Sequence, residues 1–207
     1  MANAPTASAP GSQPSGSRPL GMPYWPVPIV RAVVALIPAA LITFIPDHSA
    51  EFGLLVFGAY ALVSGVLLVI LGSRSLSGVS RRLTLVQGIV GLVAGALALF
   101  LHAGGLAFFL YIVTVWAAVT GFVELYSGIR SRGRSPFARD WMAVGALTAI
   151  LALVFLLIPP HAVVSVGLLG AYLVILGVFL IIAGLSLKWA ATDDASVVAS
   201  AQDSDTL

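Results

Sequence analysis

Phe57-Gly58-Ala59-Tyr60, followed by Gly65 and closed by Leu71-Gly72-Ser73-Arg74, recurs twice further along the chain. Adding 56 to each number turns Tyr60 into Trp116, Gly65 into Gly121, Gly72 into Gly128 and Arg74 into Arg130. A second addition leads to Gly170-Ala171-Tyr172, then to Gly177 and Gly184. The segment ahead of each copy repeats as well. Ala32, Ala35 and Ala39 become Gly88, Gly91 and Gly95, then Gly145, Thr148 and Ala152, the last set displaced by 57. Self-similarity at a fixed period marks a repeat architecture. The unit read here is a helical hairpin, used three times.

The 207 residues are 59% hydrophobic and 9% charged, with a mean hydropathy of +1.07. Soluble domains are about 45–50% apolar and about 25% charged, so lipid is the expected solvent for most of this chain. Segments of roughly 20 apolar residues span a bilayer as helices. Six are expected, near residues 29–45, 52–71, 83–101, 106–129, 141–158 and 163–187. Their continuous apolar character excludes outer-membrane strands, which alternate with period two. Cysteine is absent, which removes disulfides and thiolate metal sites from consideration. The net charge of +2, scattered over the flanks of the spans, gives no footprint for a nucleic-acid partner.

Residues 1–27 form a tail rich in Ala, Pro, Ser and Gly, read as disordered and without a removable signal peptide. Tyr24 and Trp25 stand where an aromatic interfacial anchor belongs. The membrane domain covers residues 28–188, with repeats at about 28–74, 83–130 and 141–188; residues 189–207 read as a second disordered tail. Pro38 is expected to kink the first span. All ten basic residues fall on one side of the six spans, and the positive-inside rule makes that side cytoplasmic. The expected topology therefore places both termini in the cytoplasm. With two spans per unit, every repeat enters the membrane in the same orientation. The fold class is an all-α integral membrane protein: three parallel-repeat hairpins about a pseudo-threefold axis. Gly88, Gly91 and Gly95 on an odd span, and Gly65, Gly121 and Gly177 on the even spans, read as helix-packing surfaces.

An odd helix ending in an aliphatic-Pro corner, then Gly-Ala-Tyr, a glycine five residues later and Arg at the exit, resembles the HdeD family. Ile45-Pro46, Gly58-Ala59-Tyr60 and Gly65 carry the resemblance in the first hairpin; Ile158-Pro159, Gly170-Ala171-Tyr172 and Gly177 carry it in the third. The middle hairpin departs from it, with His102 at the proline position and Thr114-Val115-Trp116 for Gly-Ala-Tyr. The resemblance covers about residues 28–188. It implies a six-span bacterial inner-membrane protein connected with acid resistance, whose molecular activity is undefined.

The sequence offers no catalytic, cofactor-binding or metal-ligating signature. Glu124 is the one carboxylate inside an expected span, and a charge in hydrocarbon costs roughly 2.5–3.5 kcal/mol on insertion scales. Arg31 lies at a similar depth, so a Glu124–Arg31 pair between helices is the preferred reading, with proton carriage by Glu124 as the sharper alternative. Tyr60, Trp116 and Tyr172 occupy equivalent places and read either as packing aromatics or as a ring near the axis. His48, His102 and His161 each fall in a different outward turn, where an ordinary imidazole changes charge on modest acidification. Two readings follow. One is a non-enzymatic membrane protein supporting acid or envelope stress tolerance through structure or interactions, with a homo-oligomer or another membrane protein as partner beside the bilayer. The other is a small channel or transporter for protons or small solutes along the axis.

Overall fold

The computed structural model describes residues 26–75, 78–132 and 138–204. Within them the chain forms six long helices and no strand: α1 (Pro26–Phe44), α2 (Ala50–Ser75), α3 (Gly78–Phe100), α4 (Gly105–Arg130), α5 (Ala138–Leu157) and α6 (Ala162–Ser204). Each contains a window long and apolar enough to cross a membrane. Large apolar side chains such as Ile37, Phe44, Ile89, Phe122, Ile150 and Ile182 are exposed on the outside of the bundle. A bilayer is the solvent that accommodates them, and the chain is a multi-pass membrane protein.

Local chemistry explains the ends of the helices. Pro46 follows the end of α1, and the Asp47 carboxylate accepts from the Ser49 amide at 2.9 Å. The Ser49 hydroxyl in turn accepts from the Phe52 amide at 3.2 Å, capping α2. A single 3₁₀ turn, His102–Gly104, joins α3 to α4 and hands over at Gly105, whose φ of 74° favours glycine. α1 runs unbroken through Pro38, which is buried. The expected N-terminal tail and the Tyr24–Trp25 anchor lie outside the described residues, save that Pro26 and Val27 already belong to α1. Beyond residue 188 the backbone continues as helix to Ser204, as befits an alanine-rich segment without Gly or Pro.

The tight helix pairs are α2 with α3, α4 with α5, and α6 with α1; helices joined by the outward turns pack less extensively. This adjusts the hairpin picture. The sequence unit is a hairpin, but its glycine faces meet the next unit. A Cβ at Gly65 would stand 2.8 Å from the carbonyl oxygen of Gly88, and one at Gly121 2.7 Å from the amide nitrogen of Ala149. A Cβ at Gly95 would meet the backbone of Leu62 and Gly58, and one at Gly91 the backbone of Ala61 and Gly65. Such faces let backbones approach where lipid supplies no hydrophobic drive between helices. Gly177 meets the Leu36 side chain on α1, where alanines replace the glycines of α3.

Candidate functional site

The buried core is layered by the repeat. Phe57, Val113 and Leu169 are equivalent under the 56-residue shift, and all three are fully buried. Ala61, Ala117 and Leu173 form a second such set, also fully buried. Between these sets in sequence, Tyr60, Trp116 and Tyr172 are 7%, 6% and 5% exposed. Phe57 and Tyr60 both meet Trp116 edge-on, with ring centroids 5.3 and 5.8 Å apart. Such contacts add roughly 0.5–1.5 kcal/mol each beyond area burial.

Toward the basic ends of the helices the core turns polar around a small chamber. Arg31, Gln87 and Val144, one from each odd helix, line it. So do Ser64, Thr120 and Leu176, one from each even helix, together with Tyr60, Trp116, Tyr172, Thr148 and Glu124. Arg31 Nη2 donates to Glu124 Oε1 at 2.9 Å, and Gln87 Nε2 donates to the same oxygen at 2.6 Å. Glu124 is 6% exposed, whereas the Arg31 side chain keeps 21%. The carboxylate is thus held by an Arg and an amide from two other helices, as a charge away from water requires. Tyr172 and Thr148 are joined at 2.9 Å through their hydroxyls, and Tyr60 interacts with Ser64 and Tyr172.

The structure therefore brings Glu124, Arg31, Tyr60, Trp116 and Tyr172 to one place and puts Gly65, Gly88, Gly91, Gly95 and Gly121 at close backbone contacts. The histidines stand apart at the turn end. His48 Nδ1 lies 3.0 Å from the Pro46 carbonyl oxygen, and His102 Nδ1 lies 3.0 Å from that of Leu99. Glu51, from the first hairpin, lies 3.6 Å from His102 Nε2, so the middle turn borrows its carboxylate from a neighbouring unit. His161 is exposed. Gln87 is the site residue that sequence reasoning missed. Its signal was there: it is the 56-residue equivalent of Arg31 and an amide within an apolar stretch.

Six apolar helices around a buried, charge-paired polar chamber define a helical membrane protein built from an internal repeat. The chain belongs to the family described as a short repeat of unknown function (DUF308), whose model matches residues 30–100 and again 86–158. The two matches start one 56-residue step apart and together cover more than half of the chain. No curated protein and no solved structure gives a match.

Proposed function

We propose that this is a non-enzymatic, HdeD-type protein of the bacterial inner membrane that supports acid or envelope stress tolerance through a structural or interaction role. Both ends lie in the cytoplasm, and the three repeats surround a pseudo-threefold axis. The observation that carries the structural role is the use made of the buried carboxylate. Glu124 ties α4 to α1 through Arg31 and to α3 through Gln87, joining the second repeat to the first at one point. The cyclic order of tight pairs (α2 with α3, α4 with α5, α6 with α1) supports the axis, as does the lining of the chamber by equivalent residues. The one-sided basic residues support the orientation, and the repeat family supports the HdeD likeness.

The channel or transporter reading draws on the polar chamber. Against it stand the apolar layers on the turn side, where Phe57, Phe109, Val113 and Leu169 are fully buried. The deciding experiment reconstitutes the protein in liposomes and follows proton and small-ion flux, alongside survival of a deletion strain through acid and envelope stress. Absence of flux with impaired survival supports the proposal. Flux above that of protein-free liposomes replaces it with transport, and unimpaired survival removes the stress role.

A further inference from the structure

The chamber wall carries both hydrogen-bond donors, among them the Trp116 indole and the Tyr60 and Ser64 hydroxyls, and acceptors. Thr148 gives its one hydroxyl proton to the Val144 carbonyl oxygen at 2.8 Å, so in its contact with Tyr172 it accepts and the phenol donates. Thr120 likewise gives its proton to the Trp116 carbonyl oxygen at 2.6 Å. Both Arg31 and Gln87 donate to Oε1 of Glu124. Thr120 and Thr148 thus enter the chamber wall as acceptors, each with its one proton already given to a helix carbonyl.

The fit is to a small, uncharged molecule that both donates and accepts hydrogen bonds. Arg31 and Glu124 neutralise each other, which removes the attraction for an ion, and the chamber has room only for water-sized occupants. A polar space of that size with two to four partners is what holds water in protein interiors. A second cavity, between α1, α5 and α6, is lined by Pro28, Asp140, Trp141 and Ala183 and shares Arg31 and Val144 with the chamber. Its residues lie at the basic ends of those helices, and the partly exposed Arg31 stands at the threshold. Toward the turn end, the Phe57, Val113 and Leu169 layer lies beyond the aromatic ring.

We propose that the chamber is a water-binding site, filled from the basic end past Arg31 and Val144 and blind at the Phe57–Val113–Leu169 layer. It goes beyond the structural role by assigning a ligand and an access route, and it stands whether or not the protein acts in stress. Pulsed hydroxyl-radical labelling of the full chain in lipid nanodiscs, read by mass spectrometry, reports side chains next to water. Corrected for intrinsic reactivity, Tyr60, Trp116 and Tyr172 are expected to oxidise several-fold faster than Phe57 and Phe109, despite being nearly as buried. After mixing into isotope-labelled water, Val144→Leu, which narrows the threshold, should slow label uptake at Tyr60 and Tyr172 relative to the parent. Equal, low labelling of all five aromatics would show a dry chamber and overturn the proposal. Equal, high labelling would show water passing the apolar layer and overturn its blind end. Uptake unchanged in a folded Val144→Leu protein would overturn the route.

Discussion

Arg31 on α1 donates to Glu124 on α4 across 2.9 Å of space and 93 residues of chain. Gln87 shares the same carboxylate oxygen, so one acceptor ties α1 to both helices of the α3–α4 hairpin. Removing one partner of a buried pair leaves the other charge uncompensated, at a cost of about 3–5 kcal/mol. Because Arg31 is partly exposed, Glu124→Gln is expected to fall at the low end of that range. Adding Arg31→Gln should recover part of the loss. Thermal unfolding of the four proteins in detergent completes the cycle, and additive effects would exclude coupling between the two residues.

The glycine contacts are not equivalent to one another. Gly121→Ala would place a methyl group against the Ala149 backbone, which cannot rotate away. Separating α4 from α5 by that amount is expected to destabilise the protein by about 1–3 kcal/mol. Gly167 has no atom within 4 Å of a built Cβ. Gly167→Ala should therefore leave stability unchanged or raise it by up to about 1 kcal/mol through helix propensity. The same unfolding measurement separates the two, and equal effects would mean that close approach is not what Gly121 provides.

Because the chain has no cysteine, single introduced thiols report topology cleanly. Ala103 and Pro160 are exposed at the turn end, and Arg132 is exposed at the basic end. With the basic end in the cytoplasm, Ala103→Cys and Pro160→Cys should react with an impermeant maleimide on intact spheroplasts. Arg132→Cys should react only after lysis. The opposite pattern would invert the protein in the membrane.

His102 makes a contact between hairpins. Its Nδ1 faces the Leu99 carbonyl oxygen and its Nε2 faces Glu51 at 3.6 Å, so both ring nitrogens meet acceptors. The contact ties α2 to the α3–α4 turn. Both side chains are well exposed, which limits its contribution to under about 1 kcal/mol. Amide exchange around Gly104 and Gly105 should be faster in Glu51→Gln than in the parent. Identical profiles would make the contact incidental.

The spans and their repeat were legible because lipid imposes a local rule. A backbone surrounded by hydrocarbon must satisfy its hydrogen bonds within the helix. Apolar runs of sufficient length therefore declare six helices one at a time, without reference to partners. Glu124 and Arg31 were legible for a related reason. A charge in a span demands compensation, and few candidates existed at the right depth. Gln87 was less legible, since an amide in an apolar helix is tolerated for many reasons and only its neighbours define its use.

Sequence alone thus determined the class of protein, the period of its repeat and the charged residues that had to find each other. Tertiary structure decided which helix each glycine face meets, joining α2 to α3 rather than to α1. It decided that equivalent residues from all three repeats converge on one chamber, and that Glu51 serves the histidine of another hairpin. It also carried α6 past the expected end of the membrane domain. These outcomes depend on how closely helices distant in sequence can approach, and backbone clearance between them is set by side chains on both partners at once. No periodicity within a single helix encodes that sum.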